Sequence, residues 1–174
     1  RVLKGKVVAE ISGKARALLT GERTALNILQ RLSGIAALTN SFVRAVKGTD
    51  AKIVDTRKTT PNLRIFEKYA VLMGGGHNHR FGLYDAVLIK DNHISIAGSI
   101  KKAVAMARQN IPHTMKIEVE AKSLKEVKDA IIACADIIML DNMSVAMMKK
   151  AVAMINKKAV VEASGNVNLK NVRD

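Results

Sequence analysis

The stretch "AVLIKDNHISIAGSIKKAVAMARQNIPHTMKIEVEAKSLKEVKDAIIACADIIMLDN", residues 86–142, decides the fold. Three short apolar runs stand in it: AVLIK (86–90), MKIEVEA (115–121) and DIIML (136–140). Between them lie SIKKAVAMARQN and SLKEVKDAIIAC, whose apolar residues recur at helical spacing. Strands alternating with amphipathic helices give βαβ units and a parallel sheet. The pattern extends outward on both sides. AKIVD (51–55) and AVVEA (159–163) bring the expected strands to five, and LRIFEKYAVLM and SVAMMKKAVAMIN supply further helices. Ser99, Ser123 and Ser144 stand at N-cap positions, and Ser123 with Glu126 fits a capping box.

Before residue 51 the pattern differs. VLKGKVVAEI (2–11) alternates loosely and predicts a strand. The following residues are helical in spacing to about Lys47, with Gly21 expected to separate two pieces. The chain opens mid-pattern without Met and closes on NLKNVRD, which reads as a first helical turn. A complete (β/α) barrel has about eight strands, so roughly two or three more are expected elsewhere. These features predict a piece of a longer protein.

Composition narrows the class. The 174 residues are 48% hydrophobic, enough for a sizeable core. There is one cysteine, Cys134, so no internal disulfide can form, and a reducing cytoplasm is expected. Cys134 in IIACADII is expected to be buried and inert, and the eight methionines to fill the core. No apolar run is long enough to span a membrane. Lys and Arg number 29 against 15 Asp and Glu, for a net charge of +14. That balance suits polyanionic partners. Aromatics at 3% leave few stacking platforms for single-stranded nucleic acid, however, and the lysines fall on helical faces as a solvated surface would.

The polar residues collect at the C-terminal ends of the expected strands. Asp55, Arg57 and Lys58 follow the first strand, and Lys90, Asp91, Asn92 and His93 the second. The third carries Glu118 and Glu120 on one side, and the fourth ends in Asp141 and Asn142. The fifth carries Glu162 and ends in Ser164, Gly165 and Asn166. In barrels and in open parallel sheets alike, that end holds the ligand.

The loop DTRKTTPNLR (55–64) reads as an anion clamp, with adjacent cations, two hydroxyl donors and a turn at Pro61. Its competing reading is a solvated polar loop. GGGHNHR (74–80) lacks the Lys-Ser or Lys-Thr of a phosphate loop, and its glycines suit a helix-ending turn. His77 and His79 lack a third ligand at familiar spacing, whereas His79 and Arg80 make a cationic donor pair. Lys90 suits a phosphate anchor or a Schiff-base nucleophile. Glu120 and Asp141 could hold Mg²⁺, act as acid and base, or merely neutralise nearby lysines.

Six stretches in order carry a resemblance: LLTGERTALNILQRLSGIA, DTRKTTPNLR, EKYAVLMGGGHNHRFGLYDAVLIKDNHI, IEVEAKSLKE, IIMLDNMS and VEASGN. They resemble the quinolinate phosphoribosyltransferase family across nearly the whole chain. The resemblance implies an α/β fold. Residues 1–46 would be the end of an α/β sandwich domain with its connecting helix, and 47–174 an incomplete (β/α) barrel. It implies transfer of phosphoribose from phosphoribosyl pyrophosphate to quinolinate with decarboxylation, Mg²⁺ as cofactor, and a homodimer with shared sites. Nucleic acid and membrane are not among its implied partners. By the same resemblance, Arg57, Lys58, His79 and Arg80 form the pyridine dicarboxylate pocket, joined by Arg23 from a neighbouring subunit. Lys90 lies near the reacting ends, Glu120 and Asp141 face the ribose and its metal, and Ser164 and Gly165 lie near the 5′-phosphate. Asn62 stands where the family usually has glycine, which left-handed backbone tolerates, and His77 occupies a variable position.

Three rivals remain at this level: a barrel aldolase using Lys90, a paralogue acting on another nitrogen base, and a basic nucleic-acid-binding module.

Overall fold

A computed structural model describes residues 2–174. Helix α1 (Ala15–Ala45) leads to α2 (Arg64–Met73), and an alternating series follows. That series is β1 (Val87–Ile89), α3 (Asp91–Ala97), α4 (Ile100–Asn110), β2 (Ile117–Ala121), α5 (Leu124–Ile132), β3 (Ile137–Asp141), α6 (Val145–Ile155) and β4 (Val160–Ser164).

The four strands are parallel and lie in the order β1-β2-β3-β4. Sequential order without reversal is how a barrel winds, whereas a doubly wound sheet turns back on itself. The sheet is thus a segment of a (β/α) barrel, not closed among the described residues. Its register sorts the side chains. Glu118 is level with Leu88 and Ile137, Glu120 and Glu162 with Met139, and Asp141 with Ser164. Level residues of parallel strands share a face, so Glu118, Glu120, Asp141, Glu162 and Ser164 stand on one side. The other side carries Ile117, Val119, Ala121, Ile138 and Leu140, all buried. They pack with Val104 of α4, Val127 and Ala130 of α5, and Ala151 and Ile155 of α6. One face is therefore apolar and covered by helices, and the other bears the chemistry.

Local signals place the helices. The side chains of Ser99, Ser123 and Ser144 accept from the amides of Lys102, Glu126 and Met147 at 3.2–3.3 Å. Half of the expected capping box is displaced by one residue, since Glu126 accepts from the amide of Lys122. Helix α3 was not expected, although Gly98 ends it in left-handed conformation at φ 82°.

Several expectations are corrected. Residues 2–11 form no strand and are exposed throughout. A strand needs a ladder partner, and none of the described residues offers one. Helix α1 runs unbroken through Gly21, because one glycine costs a long helix only about 1 kcal/mol. AKIVD is not a fifth strand. It makes a single parallel bridge, Val54 to His77, closed by His77 N–H to Ile53 O (2.8 Å) and Asp55 N–H to His77 O (3.1 Å). Cys134 is exposed, at a left-handed turn (φ 58°) that ends α5. Of the methionines, Met139 and Met143 are buried, whereas Met73 and Met106 are largely exposed.

The glycine run is a helix-ending turn. Gly74 caps α2, and Gly75 has φ +87°. A Cβ on Gly74 would lie 2.5 Å from Ala36 O and 2.6 Å from Thr39 Cβ, so its absence lets α2 close on α1. Asn62 has φ 65°, as its place in the turn requires. No helix among the described residues is long and apolar enough to cross a membrane.

Candidate active site

Arg57, His79 and Arg80 come from two loops held side by side. The bridge between Val54 and His77 sets their level. Arg64 at the start of α2 then braces both, its guanidinium donating to Thr59 Oγ1 (3.0 Å), Arg57 O (3.0 Å) and Phe81 O (2.9 Å). Arg64 closes the motif DTRKTTPNLR but was not singled out from sequence, because a brace looks like any other loop cation.

Arg80 is part-buried. Its Nη1 reaches Ala86 O at 3.4 Å, and its buried Nε has no hydrogen-bond partner among the described residues. Burial, followed by the nearby charge of Arg57, pushes its pKa down, while Glu118 opposes. Two guanidiniums close enough to repel, one with an unmet buried donor, make a receptor for an anion.

His79 faces the sheet. Its Nε2 lies 3.2 Å from Glu118 on β2 and 3.2 Å from Glu162 on β4. The carboxylates of Glu118 and Glu162 raise its pKa to about 9 against the cost of burial. The Arg80 amide points at Nδ1 (2.6 Å), which favours the neutral Nε2–H tautomer instead. The two carboxylates are charged and part-desolvated, so on balance they favour the protonated ring over the neutral one. In either state Nε2 carries hydrogen and meets the carboxylates as a donor. The three groups could converge on a cation, but a histidine ligand would need that nitrogen's lone pair. Glu118 is 1% exposed and neither of its oxygens accepts a well-aimed hydrogen bond among the described residues, so the nearby charges of His79 and Arg80 are what offset its burial. Sequence reading noted Glu118 and Glu162 on their strands without giving them a role. Only the register puts them under His79.

Glu120 stands one level nearer the C-terminal ends than Glu118, beside Met139 and Glu162, and Asp141 one level further, beside Ser164. Burial, then the charge of Asp141, raises the Glu120 pKa, and Lys90 and Lys122 act against this. A carboxylate pair whose charges repel is a donor set of hard oxygens suited to Mg²⁺. Lys90 is exposed at the end of β1, and Lys58 is exposed beside Arg57. Ser164 and Gly165 close β4. Ser164 O accepts from the amide of Asn142 (2.8 Å), and Gly165 has φ +84° directly under the Asn142 side chain. Asn142 also donates to Asp141 Oδ2 (3.0 Å), tying that carboxylate to the 164–166 turn. Arg23 lies exposed on α1, and no hydrogen bond or ion pair among the described residues joins it to this group. His77 is exposed and outside the cluster.

Residues 35–174 match the model of the quinolinate phosphoribosyl transferase C-terminal domain, and residues 1–33 that of its N-terminal domain. The chain belongs to the quinolinate phosphoribosyl transferase family. The junction of the two matches falls inside α1. A probable nicotinate-nucleotide pyrophosphorylase (carboxylating) of Synechocystis sp. is 52% identical, over 98% of this chain and 59% of that protein. Its Bacillus subtilis counterpart, of the same description, is 50% identical over 97% of this chain and 58% of its own length. The crystal structure of NadC from Streptococcus pyogenes has 50% identity and a TM-score of 0.93, covering 99% of this chain and 61% of that one. The chain thus spans about three fifths of these family members.

Proposed function

We propose that this chain carries the substrate-binding face of an enzyme that makes nicotinate mononucleotide from quinolinate and phosphoribosyl pyrophosphate, a step of NAD biosynthesis. The observation that carries the reading is the pairing of Arg57 with a part-buried Arg80 whose Nε has no hydrogen-bond partner among the described residues, facing a sheet that bears Glu120 and Asp141. A dicarboxylate meets the first group, and a ribose that turns cationic as pyrophosphate leaves meets the second.

In this reading the carboxylates of quinolinate rest on Arg57 and Arg80, with Lys58 adjacent. Arg23 of a second copy would complete the pocket in a homodimer. His79 keeps its Nε2 on Glu118 and Glu162, so it contributes positive charge to the pocket more than a free donor. The pyridine nitrogen bonds to C1 of the ribose as the bond to pyrophosphate breaks. Glu120 and Asp141 stabilise the positive charge that develops there. The positive charge on the alkylated nitrogen then stabilises the electron pair left on the adjacent carbon as its carboxylate departs as carbon dioxide, and that pair takes up a proton. Lys90, at the mouth of the sheet, neutralises pyrophosphate, and Ser164 and Gly165 receive the 5′-phosphate. Mg²⁺ would be held through Glu120 and Asp141, directly or through water, and supplies charge neutralisation for the departing pyrophosphate. No protein nucleophile is required, and positioning does most of the work.

The aldolase rival asks for a desolvated Lys90, and Lys90 is exposed. The nucleic-acid rival draws on Lys101, Lys102, Lys125, Lys128, Lys149 and Lys150, which lie exposed on the outer helices as a solvated face does.

The test is Arg57→Ala in the intact protein. Quinolinate binding by calorimetry is expected to vanish while the circular dichroism spectrum is retained. An unchanged quinolinate affinity refutes the assignment, and a preference for nicotinate over quinolinate in the wild type would favour the paralogue.

A further inference from the structure

Lys68 on α2 is 3% exposed, and its ammonium group pairs with the carboxylate of Asp55, which is buried as well. None of the chemistry above uses either residue. Asp55 receives two further donors, the side-chain amide of Asn78 and the backbone N–H of His79 (2.8 Å). Lys68 makes a second bond, from Nζ to the carbonyl of His79 (3.0 Å). The two halves of one ion pair therefore hold both peptide groups of one residue. Asn78 closes the unit by donating to Lys68 O (3.0 Å).

We propose that the buried Asp55–Lys68 pair is a positioning device that aims His79 and Arg80 at the anion, a proposal that rests on the carboxylate-pocket reading above. Stability alone does not call for an ion pair here, because apolar side chains of similar volume commonly hold a turn at least as well. A charge pair adds direction. With its N–H and C=O fixed, His79 keeps only its side-chain torsions, and Glu118 and Glu162 fix those from the sheet. Arg80 then leaves from an anchored residue. Asp55 lies two residues before Arg57, so one short segment carries both the grip on His79 and the opposing guanidinium. The distance between the pocket's two sides is set by this pair.

The experiment uses the intact protein with Asp55→Asn and Lys68→Met together. This removes both charges at similar volume and leaves neither buried alone. The KM for quinolinate is expected to rise about tenfold or more. The KM for phosphoribosyl pyrophosphate is expected to stay within about twofold, as for an uncoupled site. An unchanged KM for quinolinate overturns the proposal, and so does an equal rise for both substrates, which would report general loosening. If the double variant does not fold, amide hydrogen exchange of the wild type decides. The His79 N–H is expected to exchange as slowly as the amides of β2, and exchange at the rate of exposed loops overturns the clamp. If the wild type binds no quinolinate, the substrate reading fails separately. The ¹H–¹⁵N signals of His79 and Arg80 then carry the test: movement in the double variant supports the clamp, and constancy overturns it.

Discussion

His79 Nε2 lies 3.2 Å from Glu118 on β2 and the same distance from Glu162 on β4, so a single imidazole spans the intervening strand. The two carboxylates stand at successive levels of that strand, Glu118 beside Ile137 and Glu162 beside Met139. This one ring ties the loop of the anion-binding cations to the carboxylate face of the sheet.

The first consequence is a pH dependence. The His79 pKa is raised from 6.5 to about 9. Below pH 6.5 the ring is charged both folded and unfolded, and its ion pairs contribute fully. Above that value the unfolded ring loses its proton first. The contribution then fades until about pH 9, where the folded ring deprotonates as well. Urea midpoints are expected to fall across this interval, and Glu118→Gln to flatten the fall. An identical slope in wild type and variant would count against the pairing.

Glu120 is raised by burial and by Asp141. Asp141→Asn is therefore expected to bring the Glu120 carboxyl back toward its ordinary value, read by ¹³C titration. Turnover is expected to drop by about a hundredfold while quinolinate affinity changes little. Chelation of Mg²⁺ by EDTA is expected to abolish turnover in the wild type, and undiminished activity would remove the metal from the reading.

Two glycines should respond in opposite directions. Gly74→Ala drives a methyl into Ala36 O and Thr39, both of which belong to α1. It is expected to cost about 1–3 kcal/mol in chemical denaturation. Gly21 lies in the same helix with open space around it. Gly21→Ala is expected to stabilise by about 0.5–1 kcal/mol.

Cys134 is exposed, and it is the chain's only cysteine. A thiol reagent is expected to label it in the native protein without denaturant. Labelling that appears only on unfolding would restore the buried reading.

Much of this was legible in the sequence because its signals are local. Alternating apolar runs and helical spacing announced the parallel sheet, serines marked three helix starts, and Gly74 and Asn62 occupy the turns their chemistry suits. The strand ends named Lys90, Glu120, Asp141 and Ser164 before any register was known. What the sequence could not decide depends on partners distant in the chain. VLKGKVVAEI has a strand's pattern but meets no ladder among the described residues, and AKIVD meets only His77 among them, so neither becomes a strand. Glu118 and Glu162 are 44 positions apart (162 − 118) and acquire their role only when the sheet brings both within 3.2 Å of His79. Asp55 and Lys68 read as ordinary loop and helix charges until burial pairs them around one peptide unit. Periodicity fixes which way a residue faces on its own element, whereas electrostatics depends on what stands opposite, and only the tertiary structure supplies that.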